Sequence, residues 1–245
     1  MASFLSSIAD FFLPRFCLHC NIKLSPDVKY LCQECNDLIK PTTAEFLDKE
    51  FERKFSEQEI ITRLYSSFLF DPDSPLQNLI HNLKYSGNYK IGIHLGKSAS
   101  ARLKQKLSEL DIDFIVPVPL HTTKRAERGY NQSYYIAKGI SEIVGKPVSK
   151  KFVKRNKFTV SQTGFNLTDR QTNMNDAFVA GNSKNISGKN FLLVDDVITT
   201  GATIEACGKV LKEKKAKNIF AFSVAIPMDA TSFQEPILQE LQDHS

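Results

Sequence analysis

The sequence predicts an α/β domain with a mostly parallel sheet, preceded by a small module held by four cysteines. Three observations predict it. Short apolar runs rich in β-branched and aromatic residues alternate with stretches whose apolar residues recur every three or four positions. Four of five cysteines crowd into Cys17–Cys35. An apolar run, Phe191 to Val194, leads through two carboxylates into a turn of small hydroxylated residues. Alternating strands and helices bury both faces of a parallel sheet, and ligands of such sheets bind beyond the carboxyl ends of the strands.

The opening, MASFLSSIADFFLPRF, is apolar but lacks a preceding basic region and a small-residue cleavage site, so it reads as a short amphipathic helix and not a signal peptide. No apolar run reaches the ~20 residues of a membrane span. The expectation is a cytoplasmic protein with no membrane contact. A net charge of +5 and a pI near 8.8 are compatible with a phosphate-bearing ligand or a nucleic acid. No internal repeat or low-complexity tract is present.

Within residues 1–45, CLHC and CQEC give Cys17, Cys20, Cys32 and Cys35. Each C-x2-C pair can turn two sulfurs to one point, and four thiolates suit a structural, tetrahedral Zn2+ with no open position. Two disulfides fit poorly in a reducing compartment, and redox chemistry does not need two adjacent pairs. His19 reads as a spectator.

Residues 60–228 form the expected main domain, after a charged connector with helical character from Pro41 to about Thr62. Ile61–Phe70 reads as a strand. Leu76, Leu79, Ile80 and Leu83, then Ile91, Leu95, Ala99, Leu103 and Leu107, mark two helices broken at SGN. Asp113–Leu120 is a short buried strand, followed by a basic loop, HTTKRAERGYNQ, and a helix from about Ser133 to Val144. KKFVKRN and NDAFVA are further strands around a polar loop. Phe191–Val194 is another strand, GATIEACGKVLKEKK a helix with Cys207 as a small core residue, and Asn218–Pro227 the last strand. An amphipathic tail occupies 229–245.

The stretch FLLVDDVITTGAT combines two demands. A turn of small residues entering a helix exposes backbone N–H groups where the helix dipole favours an anion. Gly201 permits close approach, and Thr199, Thr200 and Thr203 add hydroxyl donors beside Ala202. Asp195 and Asp196 repel a phosphate, but they can accept from sugar hydroxyls or position hydrated Mg2+. A ribose carrying a 5-phosphate satisfies both halves.

This stretch resembles the signature of the type I phosphoribosyltransferases. The resemblance implies that Asp195 and Asp196 contact the ribose hydroxyls of 5-phosphoribosyl-1-pyrophosphate (PRPP), or of another 5-phosphorylated ribose, while Thr199–Thr203 cradles the 5-phosphate. Further segments narrow the likeness. LIHNLKYSGN, VPVPL with RGYNQ at Arg128–Gln132, and SQTGFNLTDRQTNMNDAF resemble segments of the ComF family, whose members pair a phosphoribosyltransferase-like domain with an N-terminal four-cysteine module. The resemblance spans about Phe12 to Pro227 in ordered segments. By position, Lys124, Arg125, Arg128 and Gly129 correspond to a pyrophosphate loop. The stretch Asn156–Asn173 corresponds to a flexible closing loop, with Gln162 and Arg170 as its candidate contacts. Lys84 and Tyr85 read equally as cleft or core.

Family members are associated with competence for DNA transformation. Two functions follow. One is an enzyme that transfers phosphoribose from PRPP, with Mg2+, to an acceptor that no motif identifies. The other is a non-catalytic nucleic-acid-binding competence protein that keeps a phosphate site, with single-stranded DNA and other competence proteins as partners. Phosphoribosyl transfer relies on positioning and charge stabilisation, so a catalytic base need not be legible. The lysines of KVLKEKKAKN read better as helix-end charges than as a nucleic-acid patch.

Overall fold

The computed structural model describes residues 14–156, 177–181 and 185–228. The opening segment, the loop carrying Gln162 and Arg170, and the tail 229–245 lie outside the described residues.

Strands β1 (Arg63–Phe70), β2 (Phe114–Pro117), β5 (Asn190–Val197) and β6 (Asn218–Pro227) form one parallel sheet in the order β1-β6-β5-β2. Between them in sequence, β3 (Val153–Arg155) and β4 (Phe178–Ala180) pair antiparallel as a separate ribbon. The helices are α1 (Gln33–Asp37), α2 (Ala44–Phe55), α3 (Pro75–Tyr85), α4 (Lys90–Arg102), α5 (Lys104–Ser108), α6 (Thr122–Arg128), α7 (Gln132–Val144) and α8 (Ala202–Glu213).

Side chains alternate across a strand, so a sheet covered on both faces needs apolar residues in both registers. β5 supplies them. Leu192 and Val194 join the core with α3, α4 and α7, while Phe191 and Leu193 join the opposite core with α8 and the β3–β4 ribbon. The first core continues into the cysteine module through Cys17, Leu24, Leu31 and Cys35. Caps fix the helix starts: Thr43, Ser74 and Asn131 each accept a backbone N–H of the first turn of α2, α3 and α7.

The expected helix through Ile91 and Leu107 is broken at Leu103 into α4 and α5, and two further boundaries differ from expectation. β5 does not stop at Val194 but runs through Asp195 and Asp196 to Val197, because β6 continues to pair with it: Asp195 lies opposite Ser223 and Val197 opposite Ala225. The acidic pair therefore belongs to the sheet. The basic stretch after β2 is not a loop but helix α6, capped by His121 Nδ1 accepting from Thr123 N–H and ended by Gly129 at φ +74°.

Candidate functional site

The turn after β5 runs from Ile198 to Gly201, and α8 begins at Ala202. Gly201 takes φ +87°, a left-handed conformation that side chains resist. Thr200 Oγ1 accepts from Ala202 N at 3.4 Å. The turn and the first residues of α8 line a small concavity with Asp195, Thr199, Thr200 and Thr203. The first-turn amides of α8 point the helix dipole into it.

The turn is braced from beneath by the end of α2. Lys54, only 2% exposed along its side chain, donates from Nζ to the Thr199 carbonyl and pairs with Glu50 Oε2 at 3.0 Å. Burial pushes the Lys54 ammonium below its usual range, and the Glu50 carboxylate opposes that. A Cβ on Gly201 would stand 2.8 Å from the Phe55 ring. Lys54 and Phe55 thus hold the turn on the face away from the concavity.

The two carboxylates differ. Asp196 continues the register of Leu192 and Val194 toward α3, and its Oδ2 lies 3.1 Å from Lys84 Nζ. Burial opposes its ionisation, but Lys84 and the Val197 N–H hold its pKa below the ordinary value. Asp195 Oδ1 accepts from Ser133 Oγ and from Asp196 N–H, both at 2.9 Å. No cation pairs with Asp195 among the described residues. Burial, then the charge of Asp196, pushes its pKa up to about 7.

A cleft of about 380 Å³ joins this pair to α6 and the β3–β4 ribbon; Lys124, Arg128, Gln132, Arg155 and Thr203 line it with the two aspartates. Three buried polar atoms lining it have neither a hydrogen-bond nor an ion-pair partner among the described residues: Arg128 Nε, Arg155 Nε and Gln132 Oε1. Unsatisfied buried groups are costly, so two donors and one acceptor converging here mark a place built for a polar ligand. Because α6 is helical, Lys124 and Arg128, four apart, share the cleft, whereas Arg125 and Gly129 line a separate cavity.

The expected phosphate and ribose residues therefore gather at one strand end, and the expected pyrophosphate set is divided between two faces. Lys84, undecided in sequence, stands at the acidic pair. Tyr85 packs beneath the Arg128 guanidinium, 5.3 Å from its ring centroid. Sequence reasoning missed Lys54, Gln132, Ser133 and Arg155 as site residues. Only Gln132 and Ser133 carried a signal, by adjoining RGYN.

The four cysteine sulfurs lie within 4.8 Å of one another. Tetrahedral Zn–S bonds of about 2.3 Å place sulfurs roughly 3.8 Å apart, and Cys20 Sγ and Cys32 Sγ stand at 3.6 Å. Turns with Asn21 N–H on Cys17 O and Cys32 N–H on Cys17 Sγ fold the pairs together. The set fits a structural tetrahedral metal. His19 bonds to Asn78 of α3 instead, at 3.2 Å.

The profile of the phosphoribosyl transferase domain matches residues 131–238. Competence protein F of Haemophilus influenzae is 28% identical over 214 residues, covering 86% of this chain and 84% of that one. Competence protein ComFC of Bacillus subtilis is 24% identical over 86% of this chain and 83% of its own. Among solved structures, an adenine phosphoribosyltransferase is similar over 62% of this chain and 75% of its own, at 19% identity and a TM-score of 0.37. With its four-cysteine module, its parallel sheet and these relatives in sequence, the chain is similar to the ComF family of phosphoribosyltransferase-like competence proteins.

Proposed function

We propose that this protein binds PRPP with Mg2+ at the carboxyl end of β5, holds Zn2+ in its cysteine module, and serves DNA uptake in competence. The observation that carries the PRPP reading is the pairing of opposite chemistries at one strand end: amides and threonines at the α8 N-terminus, carboxylates one residue pair upstream. The 5-phosphate would accept from the turn, and the ribose hydroxyls would donate to Asp195. Asp196, held ionised by Lys84, would keep that end of the cleft negative. Mg2+, when bound, neutralises pyrophosphate oxygens and eases their departure. Lys124, Arg128 and Arg155 supply positive charge across the cleft, where pyrophosphate would develop charge as it leaves. No described residue is needed as a base for that step, so the acceptor stays undefined. The competence role rests on the names of the relatives.

A thermal-shift titration tests the binding. PRPP with Mg2+ should raise the melting temperature, and ribose 5-phosphate should raise it less, having no pyrophosphate for Lys124 and Arg128. No shift with either ligand would reject the reading.

A second reading, a nucleic-acid-binding accessory protein, is favoured by one observation. A groove between the cysteine module and α3–α4 is lined by Lys29, Lys90, Lys97 and Lys138 with Tyr30 and Tyr89. Cations beside aromatic rings suit a single strand. Binding there should weaken steeply with salt. Single-stranded DNA binding that is indifferent to salt would count against it.

A further inference from the structure

The cavity on the far side of α6 is walled by Pro117, Pro119, Leu120, Tyr130, Tyr134 and Tyr135, and its volume is about 450 Å³. That size falls within the roughly 300–1,000 Å³ of small-molecule pockets. Four cations, Arg125, Lys150, Lys154 and Arg155, stand around the same walls, and no carboxylate among the described residues does. None of the four forms an ion pair with a described carboxylate. Lys150 Nζ rests 4.4 Å from the Tyr134 ring centroid, and the Arg155 guanidinium packs 5.1 Å from that of Phe178. Arg155 Nε is buried and has no hydrogen-bond partner among the described residues. Arg155, Pro119 and Leu120 also line the ribose cleft, so the two spaces meet at one guanidinium.

Each feature limits the ligand. Four cations facing no described carboxylate call for an anion. Proline, leucine and tyrosine walls call for an apolar, flat body, which a bare phosphate or pyrophosphate lacks. We infer that this cavity is a second ligand site, distinct from the phosphate turn, for a planar heteroaromatic ring bearing a phosphate or carboxylate. The ring lies against the tyrosines. The anionic group meets Lys150 and Lys154 at the rim, or Arg155 where the cavity opens into the cleft. The site goes beyond the PRPP reading and does not depend on it.

Calorimetric titrations of the full chain with AMP, UMP, nicotinate and inorganic phosphate test this. AMP and UMP represent a nucleotide, nicotinate a free charged ring; because a nucleotide's ribose 5-phosphate also suits the α8 turn, binding by either class supports the site only where the two variants weaken it. Tyr134→Leu and Lys150→Gln remove the ring face and a rim cation at partly exposed positions that tolerate change. At least one ring-bearing anion should bind about tenfold more tightly than phosphate, and each variant should weaken it about tenfold. PRPP affinity should change less than about twofold in both variants, since neither side chain lines the ribose cleft. Ring-bearing probes that bind no better than phosphate, or that bind both variants as tightly as wild type, would overturn the inference. Failure of PRPP alone to bind would reject the phosphoribosyl reading and leave this site standing.

Discussion

The ammonium of Lys84, at the end of α3, stands 3.1 Å from Oδ2 of Asp196, at the end of β5. Asp196 is 8% exposed along its side chain and Lys84 26%. The pair ties the helix after β1 to the strand that carries the acidic motif.

Breaking the pair from one side should cost more than breaking it from both. Lys84→Met leaves a buried carboxylate alone and should destabilise folding by about 2 kcal/mol, below the 3–5 of fully buried pairs because Lys84 is partly wet. Lys84→Met combined with Asp196→Asn should recover much of that loss. Asp196 has a depressed pKa, so its contribution is present above the ordinary carboxylate value of 3.8 and is lost as pH falls through its lower folded value. Urea unfolding of the single and double variants would measure the coupling; strictly additive penalties would refute it.

Asp195 has the opposite sign. Burial and its charged neighbour raise its pKa from 3.8 to about 7. Between those values the folded state holds a proton that the unfolded state has lost, so this group opposes folding above pH 7 and ceases to do so as pH falls toward 4. Asp195→Asn should therefore stabilise the free protein at pH 8, on the order of 1–2 kcal/mol, and do nothing near pH 4. Ligand hydroxyls and Mg2+ need the carboxylate ionised, so PRPP binding near pH 6.5 should release a proton. Calorimetry in buffers of different ionisation enthalpy reads that release directly. An Asn variant less stable than wild type at pH 8 would contradict the assignment.

The brace under the turn before α8 gives a third expectation. Lys54→Met removes the donor to the Thr199 carbonyl and should weaken PRPP binding about tenfold, although Lys54 lines neither described cavity of the site. Gly201→Ala adds a Cβ at 2.8 Å from the Phe55 ring and forces φ +87° on a side chain. It should cost about 1–3 kcal/mol of stability. Lys54→Met binding PRPP at wild-type affinity would show that α2 does not position the turn.

Metal removal should act through the core. Cys17 and Cys35 are buried in the same cluster as Leu31, Leu79 and Tyr65. Purified protein should carry one zinc, and chelation or Cys17→Ser should lower the melting temperature. Metal analysis that finds no zinc, with the four thiols oxidised in pairs, would refute the site.

The sheet strands and their helices were legible because their apolar periods are clean: β5 and β6 as continuous apolar runs, α3 and α4 as three-and-four spacings. The α8 turn was legible because small residues, hydroxyls and paired carboxylates rarely coincide. What escaped depended on pairing between distant segments. The extension of β5 to Val197 follows from β6 lying beside it, which no local feature of DDV reveals. Charge in HTTKRAER masked a short capped helix. Lys54 lies in a connector whose charges look solvated, and Arg155 ends a three-residue strand. Their burial exists only once the chain has closed around the site.

The most direct test is calorimetric titration of PRPP with Mg2+ into wild type and into the Asp195→Asn, Asp196→Asn double variant, both first shown folded by circular dichroism. Loss of the proposed Asp195 acceptor together with the Asp196 charge should weaken binding by about tenfold or more, since hydrogen bonds to a charged group contribute roughly 1.5–3 kcal/mol. Equal affinity in the two folded proteins would contradict a phosphoribosyl site at the end of β5.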